Sequence, residues 1–224
     1  YKAMFGGLVK WVAQVDHTDR LPEYIARAFR VAQSGRPGPV VLALPENMLS
    51  AKADVPDMTG EIHHAPMIPE LPTFHWMLDR LADAKRPLVV VGGSQWSPKA
   101  AKDLEDFATH MGLPVAVGFR RQDYMDNRHL CFAGDLNVGV NPKLAQRVRD
   151  ADCLLLIGTR FGDIETQGYT LVDPANPEKT ILHIHCDADE IGRVYGADIG
   201  LACRADIAIA GLLKASREHS WDDW

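Results

Sequence analysis

The amino-acid sequence predicts an α/β fold, namely a doubly wound, mostly parallel sheet with helices on both faces. Apolar runs such as Pro87–Val91 and Cys153–Ile157 alternate with segments of helical periodicity. Strands that alternate with helices need crossover connections, and crossovers place the strands parallel. The runs are continuously apolar, which is typical of strands buried on both faces. We therefore expect one domain of about five or six strands over residues 73–218.

Proline, glycine and capping residues define the elements of this domain. Ser97 and Asn141 each precede a proline, a pairing that is typical of a helix start, and Gly112 marks a helix end. The predicted elements, in order, are a helix over about 74–84, a strand over 87–91, a helix over 98–111, a strand over 114–117, a helix from 142 to about 149, strands over 153–157 and 180–185, a helical turn after Asp189 and a helix over 205–214.

Residues 1–49 predict a helix that begins at Leu21-Pro22 and ends at Gly35, followed by a strand over 40–44. One helix and one strand cannot enclose a core, so we expect this segment to need partners.

Residues 50–72 predict an extended linker, because Pro56, Pro66, Pro69 and Pro72 lie among polar and small residues without a sustained period. The linker also carries His63-His64, a pair that is more typical of solvated side chains than of a metal site. Residues 219–224 are expected to be a tail.

Composition narrows the classes of partner and location. The chain has 24 Lys and Arg against 30 Asp and Glu, a net charge of −6, and no basic stripe, so we expect no nucleic-acid partner. Its apolar runs are far shorter than the ~20 residues of a membrane helix, so we expect no membrane partner. The four cysteines have wide, irregular spacings and form no C-x-x-C pair. This pattern favours a reducing, cytoplasmic location.

Two predicted strands end in glycines that could form a ligand site. Ligands of such sheets bind beyond the carboxyl ends of the strands, where strand order reverses. Gly92 and Gly93 would let a phosphate approach free backbone N–H groups, and Gly158-Thr159-Arg160 would add a guanidinium. The fingerprint G-x-G-x-x-G is absent, and glycines also make tight strand-to-helix turns. Both interpretations, nucleotide binding and turn formation, stay open.

Other polar groups offer weaker candidates. The polar segment 118–136 predicts a loop that follows a strand, so it would lie at the ligand edge or be an ordinary surface loop. His183, His185 and Asp187 would share one face of a strand, a spacing that could hold a metal. No second ligand cluster accompanies them, and a histidine in a core strand is typically hydrogen-bonded, so we predict no metal site. Without a G-x-S-x-G elbow or a cysteine motif, we also predict no catalytic residue.

Three stretches together resemble the acetolactate-synthase-like family of thiamine-diphosphate enzymes. Residues 28–45, AFRVAQSGRPGPVVLALP, are similar to the segment A-x-x-x-A-x-S-G-R-P-G-P-V-x-L-x-I-P that ends the family's pyrimidine-binding domain. Residues 86–93, RPLVVVGG, and 151–161, ADCLLLIGTRF, resemble strands of its central domain. The resemblance spans about residues 8–215, and it implies a Rossmann-like central domain over 73–218 after the end of a pyrimidine-binding domain over 1–49.

The resemblance implies a parent enzyme that is a carboligase or decarboxylase of 2-oxo acids, with thiamine diphosphate and Mg²⁺ as cofactors. Such a parent is expected to be a homo-oligomer with a small-molecule substrate. The family's diphosphate- and metal-binding motif, G-D-G followed by Asn, belongs to a third domain, and Gly134-Asp135-Leu136-Asn137 is only superficially similar to it. We therefore expect an internal fragment that serves as non-catalytic scaffold, with the missing catalytic domains as its partners.

Within the family, the central domain binds FAD, ADP or nothing. The matching nucleotide positions in this chain are Gly92, Gly93, Gly158, Thr159 and Arg160. Ile164 stands where FAD-binding members have a second arginine, and His185 and Arg204 align with acidic positions. These departures count against FAD and leave ADP or a vacant cleft open. The alternative is a stand-alone module that binds FAD, NAD or ADP.

Overall fold

The computed structural model describes residues 1–56, 58 and 67–217. These residues fall into two compact units, which meet in the sequence between positions 66 and 67. The predicted tail, 219–224, and the linker histidines His63 and His64 lie outside the described residues. In the described parts of the chain, no helix is both long and apolar enough to cross a membrane.

The first unit is built on two parallel strands. Its elements are α1 (Lys2–Phe5), β1 (Trp11–Gln14), a short 3₁₀ helix (Thr18–Arg20), α2 (Leu21–Gln33), β2 (Val40–Ala43) and α3 (Glu46–Ser50). Helix α2 packs on β1, where Tyr24 stacks on Trp11 at 5.9 Å and the Arg27 guanidinium lies 4.6 Å from the same indole. The sequence predicts α2 and β2 but not β1, because prolines at positions 39 and 45 mark the two ends of β2, whereas no proline or glycine borders β1.

The second unit is a six-stranded parallel sheet covered by helices. Its elements are α4 (Leu71–Ala82), β3 (Pro87–Val91), α5 (Pro98–Met111), β4 (Val115–Val117), β5 (Phe132–Asp135), α6 (Pro142–Asp150), β6 (Cys153–Ile157), β7 (Thr180–His185), β8 (Ile199–Ala202) and α7 (Ala205–Ser216). The strand order is β5-β4-β3-β6-β7-β8, so strand order reverses between β3 and β6. The predicted doubly wound α/β fold is confirmed.

Apolar runs correctly predict the bounds of the central strands, and capping residues correctly predict the ends of helix α5. Strands β3, β6 and β7 have the predicted bounds. The Ser97 hydroxyl accepts a hydrogen bond from the Ala100 N–H at 3.1 Å, as expected of an N-cap residue. Gly112 ends α5 with φ of +61°, a conformation that glycine adopts without steric cost.

The sequence does not predict the two edge strands of the sheet, β5 and β8. The interpretation of 118–136 as a loop is wrong at its end, because Phe132–Asp135 is strand β5. Strand β8 is likewise not predicted. Gly134 and Gly200 interrupt the two apolar patterns, and glycine weakens strand propensity. Both strands lie at sheet edges, where residues are only partly buried and no continuous apolar run is needed.

Alternate residues of the central strands serve two separate cores. Val89 and Val91 point into the core with α4, α5 and α7, whereas Leu88 and Val90 point into the core with α6. On that second face, a single helix is supplemented by the irregular segment 158–179, which contributes Phe161 and Leu171. The sheet is therefore covered by three helices on one face and by one helix with an irregular segment on the other.

Gly211 provides a test of how tightly α7 packs on α4. A Cβ at position 211 would lie 2.4 Å from ring atoms of Phe74, a side chain that is itself buried. Alanine favours a helix over glycine by about 1 kcal/mol. We nevertheless expect Gly211→Ala to lower the free energy of unfolding by about 1–2 kcal/mol net, because overpacking a core is costly. Urea unfolding followed by circular dichroism measures the change.

The matched control replaces Phe74, the side chain that a methyl group at position 211 would meet. In a Phe74→Leu background, Gly211→Ala should be neutral or stabilising, because the ring atoms that meet the new methyl group are gone. An unfolding midpoint of Gly211→Ala at or above that of the wild type would contradict the packing described here.

Candidate functional site

Four of the five residues predicted to bind a nucleotide meet at the point where strand order reverses. Strands β3 and β6 are neighbours, and their last residues, Val91 and Ile157, are directly paired. The segments that follow, Gly92-Gly93 and Gly158-Thr159, therefore leave the carboxyl edge of the sheet side by side. This is the position at which doubly wound sheets bind ligands.

The glycines at this point are needed for contact between the two loops. Gly93 and Gly158 have φ of +72° and +74°, in the left-handed region. A Cβ on Gly93 would lie 1.9 Å from the carbonyl oxygen of Gly158, and a Cβ on Gly158 would lie 2.6 Å from that of Gly92. The sheet uses two of the N–H groups, since Gly92 donates to Ile157 at 3.0 Å and Gly158 to Ile184 at 2.7 Å. Those two groups are not free to meet a phosphate.

Two aromatic side chains hold the loop after β3. The Trp96 Nε1–H donates to the Gly92 carbonyl at 2.9 Å, and the Tyr124 hydroxyl donates to the Gly93 carbonyl at 2.9 Å. The two rings stack with centroids 4.8 Å apart. Burial raises the pKa of Tyr124 above its ordinary value, so the hydroxyl keeps its proton as a donor.

Thr159 connects the loop after β6 to the partly buried carboxyl group of Glu165. Its side chain, 2% exposed, donates to Glu165 Oε2 at 2.5 Å and accepts from the Phe161 N–H at 3.0 Å. The N–H groups of Gly162, at 3.3 Å, and of Phe119 also donate to Glu165. Since the Thr159 oxygen already accepts a hydrogen bond, its own proton points to Glu165, which accepts as a carboxylate would. Thr159 therefore has its hydroxyl engaged inside the protein.

Glu165 spans the ends of three strands. Its Oε1 lies 2.1 Å from where a Cβ on Gly118 would be and 3.4 Å from where one on Gly92 would be. Gly118 follows β4, Gly92 follows β3, and Thr159 follows β6. Burial raises the pKa of Glu165 above its ordinary value, and the hydrogen bonds from Thr159, Gly162 and Phe119 oppose that shift.

His183 fixes the same loop from the neighbouring strand β7. Its Nε2 lies 2.9 Å from the Thr159 carbonyl oxygen, so Nε2 carries a proton and donates. Burial lowers the pKa of His183 below its ordinary value, which favours the neutral ring. The ring of His185 is 6.1 Å away, and its Nδ1 bonds to the backbone of Asp187. Within the described residues, no group of three or more His, Cys, Asp or Glu side chains is placed to hold a metal ion.

Arg160 is the one predicted site residue that faces solvent. It has no hydrogen bond or ion pair with the residues that the structure describes. Two further guanidinium groups follow β4, where Arg120 lies over the Phe119 ring at 4.8 Å and Arg121 over the Tyr124 ring at 5.5 Å. By contrast, Arg204 is paired with Asp206 at 2.6 Å.

Two surface hollows lie at the opposite, amino edge of the sheet. A hollow of about 460 Å³ is lined by residues that precede β3, β6 and β7. Another of about 490 Å³ is lined by residues at the starts of β4 and β5 and by residues of helix α6. In the first, Lys179 donates to the carbonyls of Arg149 and Ala151 at 3.0 and 2.8 Å. These carbonyls end helix α6, so Lys179 serves as a helix cap. Neither hollow touches the predicted site residues.

The sequence predicts neither Glu165 as a site residue nor the hydrogen-bond partner of His183. Glu165 lies in GDIETQG, a polar stretch without periodicity that looks like a solvated loop. Nothing in the local pattern places its carboxyl group under the ends of β3 and β4. For His183, the sequence favours a hydrogen-bonded core histidine over a metal ligand, and the structure identifies the acceptor as the Thr159 carbonyl.

The chain is similar to a known protein family and to several curated proteins. Residues 74–212 match the family model described as thiamine pyrophosphate enzyme, central domain. The acetolactate synthase large subunit of Corynebacterium glutamicum is 27% identical over 214 residues, which cover 93% of this chain and 34% of that protein. Acetolactate synthase isozyme 3 large subunit of Escherichia coli K12 is 27% identical over 218 residues, with 95% and 38% covered. The chain spans about a third of the length of these curated relatives.

His183 gives the site a pH dependence that can be measured. Because its pKa is lower when folded than the ordinary value of 6.5, the unfolded chain binds the proton more readily. The stability contribution is present above pH 6.5 and is lost as the pH falls below it toward the folded pKa. We expect His183→Gln to reduce the slope of unfolding free energy against pH in this window by up to about 1.4 kcal/mol per unit.

Urea unfolding between pH 7.5 and pH 5 tests this expectation. Glutamine can still donate to the Thr159 carbonyl but does not titrate. His110→Gln, which removes an exposed imidazole from the same unit, is the matched control. Equal slopes for the wild type and His183→Gln would show that the buried ring does not contribute.

Proposed function

Because this chain belongs to the thiamine pyrophosphate enzyme family and carries its central domain, we propose that it is the scaffold part of an acetolactate-synthase-like carboligase or decarboxylase of 2-oxo acids, a transferase or lyase. The observation that carries the proposal is the match of residues 74–212, together with acetolactate synthase large subunits that align with more than nine tenths of the chain. Since the chain spans about a third of their length, the activity is assigned to a longer parent protein.

The proposed cofactors of the parent are thiamine diphosphate and Mg²⁺. Thiamine diphosphate supplies the electron sink that cleavage next to a 2-oxo group requires. No G-D-G occurs in this sequence, and Gly134-Asp135-Leu136-Asn137 does not replace it. Asp135 lies on β5 and accepts hydrogen bonds from the side-chain amides of Gln122 and Asn137. We therefore assign the diphosphate and the metal to the missing catalytic domains and none to this chain.

Residues 1–49 are proposed to be the C-terminal part of a pyrimidine-binding domain. A sheet of two parallel strands is not independently stable, and the strands of this unit are only partly buried. Large apolar side chains of the unit are exposed, with Phe29 at 66% and Leu49 at 60%. Further strands of the same polypeptide would pair with the sheet and cover these side chains. The parent is proposed to be a cytoplasmic homo-oligomer that acts on a small molecule.

The crevice at Gly92, Gly93, Gly158, Thr159 and Arg160 is proposed as the position of an adenine nucleotide, FAD or ADP, in the parent. Its place at the reversal of strand order supports this assignment. Arg160 is exposed and supplies the guanidinium that a phosphate favours. Ile164, 39% exposed, stands where an arginine would favour FAD, so ADP is the better candidate of the two.

Activity assays test the scaffold proposal directly. We expect the purified 224-residue chain to release no CO₂ from pyruvate and to form no acetolactate, even with thiamine diphosphate and Mg²⁺. The parent protein, whose length can be found by immunoblot with antibody to this chain, should turn over pyruvate or another 2-oxo acid in the same assay. Turnover by the chain alone would overturn the scaffold role, and an inactive parent would overturn the proposed activity.

The alternative function is a stand-alone module that binds FAD, NAD or ADP, and the glycine-ended strands at the reversal point favour it. Such a module should retain its nucleotide during purification. We expect instead no visible flavin absorbance and no adenine nucleotide released on denaturation. A stoichiometric nucleotide in the purified chain would favour the module over the scaffold.

A further inference from the structure

We infer that the carboxyl group of Glu165 occupies the phosphate position of the crevice and excludes phosphate groups from it. The inference rests on the crevice proposed above and limits how a nucleotide could bind there, since its phosphate groups could meet Arg160 only at the rim. It is carried by the geometry of one side chain against the ends of three strands.

The donors that a phosphate would use at this point are directed at Glu165. Its carboxylate receives the Thr159 hydroxyl at 2.5 Å and the N–H groups of Gly162 and Phe119. One hydroxyl with two backbone N–H groups from loops after parallel strands is a set that binds oxyanions in other proteins. Here the oxyanion is part of the chain, so a ligand phosphate would have to displace it.

Glu165 also fills the space next to Gly118 and Gly92, in addition to accepting the hydrogen bonds. Glu165 Oε1 lies where a side chain on Gly118 would begin, 2.1 Å from the ideal Cβ position, and it is close to that of Gly92. The absence of a side chain at Gly118 thus accommodates the carboxyl group of Glu165. The room that a glycine leaves for a ligand at the ends of β3 and β4 is taken by this group.

Charge strengthens the exclusion. In its ionised form, the Glu165 carboxylate repels a phosphate at the same position, because water screens charges less well at a partly buried site. Among the charged groups near Glu165, Arg160 favours its ionised form, yet Arg160 is exposed and makes no ion pair with the described residues. A phosphate could meet Arg160 at the rim, but it could not reach the donors of Thr159, Gly162 and Phe119 while Glu165 accepts their hydrogen bonds. The crevice therefore favours an uncharged group over a phosphate.

Calorimetric titration with inorganic pyrophosphate tests the inference without any nucleotide. The proteins are the wild-type chain, Glu165→Ala, Glu165→Gln and the control Asp163→Ala. Asp163 is an exposed carboxylate in the same loop, and its side chain makes no hydrogen bond with the described residues. We expect Glu165→Ala to bind pyrophosphate at least tenfold more tightly than the wild type. Asp163→Ala should bind as the wild type does.

Glu165→Gln guards against a folding defect in the alanine variant, because it keeps the volume and removes the charge. It should also bind more tightly than the wild type, by about threefold or more, as the repulsion is relieved while the space stays occupied. If neither Glu165 variant binds pyrophosphate more tightly than Asp163→Ala, Glu165 is only a brace between loops and the inference is overturned.

Titrations with ADP and adenosine separate this inference from the proposed cleft. Tighter binding of ADP by Glu165→Ala, with adenosine unchanged, would support both. Pyrophosphate binding gained without any ADP or adenosine binding would support the inference and reject the nucleotide cleft. ADP bound as tightly by the wild type as by Glu165→Ala would support the cleft and overturn the inference.

Discussion

The contact between the loops that follow β3 and β6 constrains everything else at the carboxyl edge. The two chains approach so closely that neither Gly93 nor Gly158 can carry a side chain without meeting the backbone of the other loop. Once this contact is made, the position of Thr159 is fixed, with its carbonyl facing His183 and its hydroxyl facing Glu165. The carboxyl group of Glu165 then lies against Gly118, at the end of β4. A point that resembles an open ligand crevice in the topology is thus occupied by the protein's own groups.

Much of the second unit could be predicted because its central strands are buried on both faces. Continuous apolar runs define β3, β6 and β7, and capping signals define α5 and α6. The edge strands β5 and β8 could not be predicted in this way, because a partly exposed strand tolerates glycine and polar residues. A pattern reports the burial of a segment, and an edge strand is held by pairing with its neighbour as much as by burial.

The sequence predicts where the candidate site lies but not which side chains occupy it. The rule that ligands bind where strand order reverses brings Gly92, Gly93, Gly158 and Thr159 together, as the structure has them. Whether these glycines face a ligand or each other depends on the tertiary path of residues 158–179, which has no regular period. Glu165 could not be found for this reason. The family match identifies the domain, whereas the position of Glu165 at the ends of β3 and β4 is visible only in the tertiary structure.

The uneven covering of the sheet has a consequence for local stability. Helices α4, α5 and α7 protect one face, but the other relies on α6 and on the irregular segment that carries Thr159 and Glu165. Segments with few regular backbone hydrogen bonds open at a lower free energy than the fold as a whole. Amide hydrogens of that segment should therefore exchange with solvent while those of β3 and β6 stay protected. Opening of this segment would expose the carboxyl edge together with Phe161 and Leu171, while the core with α4, α5 and α7 stays closed.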